Sequence, residues 1–148
     1  MARGKTVQVR RNGARLYLDK AIQFIEQARS GLDAGRNDAA LLDAIHAAIS
    51  GTDAVTTALA GVRSTDPDHQ RAADLLEDIV ASAPEDRQRA RQLRSLLARK
   101  NAVEYESRKT SLKDAMTPLS LAADQTSQPP YPTKAFTPRT AKRISRQR

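Results

Sequence analysis

"RLYLDKAIQFIEQARSGLDAGRNDAALLDAIHAAISGTDAV", Arg15 to Val55, reads as two helices and the turn between them. Leu18, Ala21, Ile22, Ile25, Ala28 and Leu32 recur every three or four positions, with Tyr17 and Phe24 widening the row. That period matches the turn of an α-helix and makes one apolar stripe. The spacing predicts a first helix from Ala14 to Ala34. "GRND" then interrupts it. Gly35 suits the left-handed residue that closes a helix, and Asn37 or Asp38 can cap the next. A second helix is expected from Asp38 to Ala60, with Leu41, Leu42, Ile45, Ala48, Ile49, Thr52, Val55 and Leu59 along its stripe. The short link makes the two helices antiparallel neighbours. Gly51 costs a helix interior roughly 1 kcal/mol relative to Ala. Together with Ala47 and Ala48 it leaves room for another helix to approach closely.

Working outward, "GVRSTDPDHQ" (residues 61–70) is a loop into a third helix. Thr65 or Asp66 is its expected cap, and Pro67 fits its first turn. Leu75, Leu76, Ile79 and Val80 supply its buried face. "ASAPED" (81–86) breaks the chain again, and Pro84 opens a fourth helix. This one carries Arg87, Arg91 and Arg94 on one side, and Leu93, Leu96, Leu97 and Val103 on the other. Thr110 or Ser111 caps a short last helix, interrupted near Pro118 and fading by Ala123. From Gln125 onward four prolines and no apolar period predict an extended or disordered basic tail. The fold class is all-α: an antiparallel bundle of four main helices plus a short C-terminal one, over residues 14–123. A basic arm (1–13) and a Pro-containing basic tail (124–148) flank it. No stretch alternates with period 2 over a useful length, and there is no internal repeat.

At 148 residues the chain can bury one real core. It has no Cys and two His, which excludes disulfides and thiolate sites and argues against a structural metal. No apolar run approaches the roughly 20 residues of a membrane span, and the N-terminus has no apolar segment behind its basic residues. A soluble, cytoplasmic protein without a membrane partner is the expectation. The charge is segregated. Of 25 basic residues, 11 lie within residues 1–15 and 128–148, where there is no acid. The other 14 share the middle with all 17 acids. The pI of 10.3 is therefore a property of the ends. Basic ends on a slightly acidic body attract a polyanion, with nucleic acid as the default candidate. A merely solubilising tail is the bland alternative.

Three pieces resemble a HEPN domain, a family of small helical bundles found in many prokaryotic toxin–antitoxin, defence and RNA-processing proteins. The helical pair above is similar to the family's opening hairpin. "RSTDPDHQRAADLL" (63–76) resembles the His-containing entry to its third helix, and "LLARKNAVEYES" (96–107) falls where the family keeps its signature. The resemblance covers residues 14–115 and implies a homodimer. In catalytic members the signature is Arg, a polar residue, then His, and it serves a metal-independent, cofactor-free ribonuclease. A base withdraws the RNA 2′-OH proton, and a cation steadies the charge built on the phosphate. Carried over, the cation is Arg99 or Lys100 and the polar residue Asn101. The His position falls among Glu104, Tyr105 and Glu106, none of which is His. Tyr105, with an ordinary pKa near 10, is a poor base at neutral pH.

The resemblance therefore implies a binding or interaction module, with Lys100, Asn101 and Tyr105 as catalytic residues of the alternative, a ribonuclease toxin or defence effector. Arg99, Arg10, Arg11, Arg139, Lys142, Arg143 and Arg146 are the candidate nucleic-acid contacts. RNA is expected before DNA, with an acidic protein as the other partner. A further alternative is an assembly protein whose tails interlock subunits. The bland reading of "RKNAVEYESRK" (99–109) is a charged helix end, where cations are favoured by the dipole. His46, beside the packing face, reads as a partly buried structural residue. His69 reads as exposed in the first turn of the third helix, near Asp66 and Asp68. The Arg87–Arg91–Arg94 row reads as a solvated face paired with acids such as Glu85 and Asp86, or as a basic surface leading to Arg99 and Lys100. Tyr131 and Phe136 lie among basic residues and prolines and could stack on bases.

Overall fold

The computed structural model describes residues 4–81 and 84–105, with side chains over 4–81 and 87–100. It is mostly helical. In chain order it has β1 (Thr6–Gln8), a single 3-10 turn (Arg11–Gly13), α1 (Ala14–Asp33), α2 (Asn37–Ala60), β2 (Val62–Ser64), α3 (Gln70–Ile79) and α4 (Pro84–Tyr105). The expected short helix beyond Thr110 and the basic tail lie outside the described residues.

The turn after α1 is a Schellman motif. Gly35 takes φ +73°. The Gly35 N–H donates to Leu32 O at 3.0 Å and the Arg36 N–H to Gly31 O at 2.8 Å. Two of the carbonyls that a helix end leaves open are thereby satisfied. α2 then begins at Asn37, with Arg36 in the cap position and no side-chain cap bond from it, so the expected cap at Asn37 or Asp38 is displaced by one residue or two. Gly31 lets the helices close. A Cβ there would lie 3.3 Å from Ala40 Cβ.

α2 is the centre of the fold and touches α1, α3 and α4. Its burial exceeds the expected stripe. Ala40, Ala44, Ala47, Ala54 and Ala58 are buried as well as Leu41, Ile45, Ala48 and Val55. Ala21, Ile25 and Ala28 of α1, Leu76 of α3, and Leu93, Leu96 and Leu97 of α4 complete the core. Ile22, expected in the α1 stripe, is 37% exposed, because the wider α2 contact is made by Ala21, Ile25 and Ala28. Each fully buried Leu or Ile contributes roughly 1.5–3 kcal/mol over exposure.

The small sheet was not legible as a period. β1, from the basic arm, pairs antiparallel with β2, from the expected loop, with Val7 opposite Arg63. Gly61 makes this possible. It ends α2 in the left-handed region at φ +63° and turns the chain back toward the arm. Its N–H donates to Thr57 O at 2.9 Å and its carbonyl accepts the Val9 N–H at 2.9 Å. α3 starts at Gln70, later than the expected cap at Thr65 or Asp66. The Asp66 carboxylate is used elsewhere, accepting the N–H groups of Lys5 at 3.0 Å and Asp68 at 2.9 Å. Asp68 Oδ1 instead accepts the Gln70 N–H at 3.0 Å.

Both left-handed glycines resist a side chain, but unequally. Nothing lies within 4 Å of a Cβ at Gly35, whereas one at Gly61 would meet Val9 O at 3.2 Å. Gly35→Ala should cost about 1 kcal/mol, and Gly61→Ala more, about 2 kcal/mol. Paired urea titrations check the order.

Candidate nucleic-acid interface

The basic arm is fastened to the body by backbone bonds, and its cations stay outside. The Thr65 N–H donates to Lys5 O at 2.9 Å. Gly4 sits on α3 so closely that a Cβ would lie 2.6 Å from Arg71 Cβ. The Lys5 and Asp68 N–H groups hold the Asp66 carboxyl below its ordinary pKa. Lys5, Arg10 and Arg11 are exposed along this segment. Two of the expected nucleic-acid contacts, Arg10 and Arg11, thus stand on an ordered turn into α1.

α3 and α4 meet through an ion network. Arg71 Nη1 contacts Asp74 Oδ2 at 3.0 Å, and Arg94 pairs with both Asp74 and Glu77. Burial alone would raise the Asp74 pKa. The hydrogen bonds from Arg94 and Arg71 overcome it and hold the carboxyl below its ordinary value. Glu77 and then Asp74 raise Arg94 in turn. The Gln70 amide donates to Arg94 O at 3.1 Å. Arg94 is therefore a link between helices, with its acids supplied by α3. The side chains of Glu85 and Asp86, the expected partners, lie outside the described residues. A cleft of about 830 Å³ opens between the sheet and these helices, bordered by Thr6, Val62, Arg71, Asp78, Arg87 and Arg94 among others.

α4 runs unbroken through Tyr105, so Asn101 does not end the helix. Helical register puts Asn101 and Tyr105 one turn apart on the same side, with Lys100 adjacent. Arg99 and Lys100 are half-buried, and each has an interaction of its own. The side chains of Asn101 and Tyr105, and all of Arg139, Lys142, Arg143 and Arg146, lie outside the described residues. His46 stacks on Phe24, with ring centroids 5.4 Å apart, as a half-buried structural residue. His69 precedes α3, half-buried, and its carbonyl accepts the Ala72 N–H at 3.0 Å.

One titratable cluster escaped the sequence. Asp53 of α2 faces Arg63 of β2 at 3.6 Å, and the Arg63 guanidinium lies over the Tyr17 ring at 5.3 Å. The Asp53 side chain is only 13% exposed. Burial pushes its pKa up to about 6, against the opposing pull of Arg63 and Lys20. Nothing local relates residues 17, 53 and 63, and only the sheet brings Arg63 over α1. Comparisons with known protein families, curated proteins and solved structures find no match.

A carboxyl whose pKa is raised on folding favours the folded state as pH falls from its folded toward its unfolded value. Wild-type stability should therefore rise relative to Asp53→Asn between pH 6 and pH 4, by up to roughly 3 kcal/mol. Denaturant titrations across that window check the sign. Arg94→Ala should cost roughly 1–2 kcal/mol, discounted for its partial exposure, read as a lower urea midpoint.

Proposed function

We propose that this protein is a HEPN-like helical module that binds nucleic acid, RNA before DNA, through its basic arm and basic C-terminal end. Pairing of two copies, which the resemblance implies, is part of the proposal. The observation that carries it is the fixed presentation of Lys5, Arg10 and Arg11. The strand bonds hold the arm, its cations are exposed, and the acid that folding brings beside Lys5, Asp66, is engaged by the Lys5 and Asp68 backbone N–H groups. A flexible solubilising arm needs no such fastening. Phosphate contacts by such cations are independent of sequence and weaken with salt.

The test keeps β1 intact. Arg10→Gln and Arg11→Gln are combined with truncation after Gln125, which removes six further cations. RNA binding by fluorescence anisotropy should weaken steeply between 50 and 200 mM salt for the wild type. The variant should have a shallower slope, by roughly 0.7–0.9 for each phosphate it no longer neutralises. No binding by the wild type at low salt, or an unchanged slope, defeats the proposal. Cleavage of the RNA to cyclic-phosphate ends, abolished by Lys100→Ala, would instead support a ribonuclease.

A further inference from the structure

α4 differs from α1 in its charge. α1 is an ordinary solvated helix: its exposed residues include Arg15, Arg29, Glu26 and Asp33, and Arg15 pairs with Asp19 at 2.9 Å. Between Arg87 and Val103, α4 has six cations and no acid. Ala90, Leu93, Leu96 and Leu97 face the core. The side turned away from the core exposes Arg87, Gln88, Arg91, Gln92, Ser95 and Ala98, with Arg87 at the edge of the cleft that Asp78 also borders. No ion pair joins Arg87 or Arg91 to another described residue. Arg94, their neighbour in the basic row, is held by Asp74 and Glu77. Two guanidinium groups thus stand one turn apart, about 6 Å along the axis.

The rest of this face narrows what it can hold. Amide and hydroxyl groups flank the arginines, and these hydrogen-bond phosphate and sugar oxygens. Its one apolar residue is Ala98, so it lacks the buried anchor around which a protein interface forms. No aromatic residue lies between Pro84 and Glu104, so it has no platform for stacking unpaired bases. We propose that the outward face of α4, centred on Arg87 and Arg91, binds the phosphate backbone of a nucleic-acid duplex without reading its bases. This rests on the nucleic-acid reading above, and names the surface and the form of the substrate.

The test compares Arg87→Gln/Arg91→Gln with a control of equal charge change outside the basic ends, Arg29→Gln/Arg36→Gln. Both act on exposed residues, and circular dichroism melts confirm that each variant folds. Probes are two unrelated 20-base-pair RNA duplexes, the matching DNA duplexes, and single-stranded RNA. At 0.1 M salt the α4 variant should bind duplex roughly 10- to 60-fold more weakly, with a salt slope lower by about 1.8. The control should change by less than about threefold, and the two duplex sequences should bind alike. Arg87→Lys/Arg91→Lys should retain most of the binding. Equal losses in the α4 variant and the control, tighter binding of single strands, or strong preference between duplexes would overturn the proposal. If the wild type binds and the α4 variant is unchanged, this inference fails while the broader reading stands. If the wild type binds no nucleic acid, both fail.

Discussion

The burial of α2 on nearly every side governs the rest of the structure. Its surface is made of small residues: Ala40, Ala44, Ala47, Ala48, Gly51, Ala54 and Ala58 are all buried. Small side chains let neighbouring backbones come close, and Gly31 of α1 does so against Ala40. The helix also buries hydroxyls. Thr52 donates to Ala48 O at 2.8 Å, which spares it the cost of an unmade hydrogen bond. With α2 surrounded, its C-terminus can leave in few directions. Left-handed Gly61 sets that direction, and places β2 beside the arm. The position of β1, and so of Lys5, Arg10 and Arg11, follows from how the central helix ends.

The arginines of the folded body divide by environment. Arg63 and Arg94 link elements: Arg63 joins β2 to α1 and α2, and Arg94 of α4 engages carboxylates of α3, one of which Arg71 also holds from within α3. Such partly exposed contacts contribute modestly to stability one by one, and more as a network. Arg87 and Arg91 are exposed and form no ion pair with another described residue. For the polyanion proposed above, exposed cations stand on the arm and on the outer face of α4, as well as on α1 and the turn after it. The fold has withdrawn others from that role by giving them partners inside the molecule.

The helical pair was legible almost to the residue, since repeating apolar positions and Gly35 are local signals. The 3-residue strands were not, because so short a stretch cannot establish a period of two. Asp66 misled the reading of α3 for a related reason. Its side chain resembles a cap in sequence, yet two N–H groups, one of them 61 residues away, occupy it. For the expected site residues the structure shows position alone. Arg99, Lys100, Asn101 and Tyr105 are placed on one continuous helix, where the sequence alone suggested a helix end. The Arg94 network was hidden because its acids lie 17 and 20 residues away on another helix.

By itself the sequence determined the helical class, the turn between α1 and α2, the apolar faces and the segregation of basic charge toward the ends. Each of these depends on spacing or composition, which act over one or two helical turns or over the chain as a whole. Tertiary structure alone decided that α2 would be central, that the arm would be fastened as a strand, and which arginines would be paired. Those outcomes depend on distances between residues far apart in the chain. They are set by how closely the small side chains of α2 let its neighbours approach, and by where Gly61 sends the chain when the helix ends.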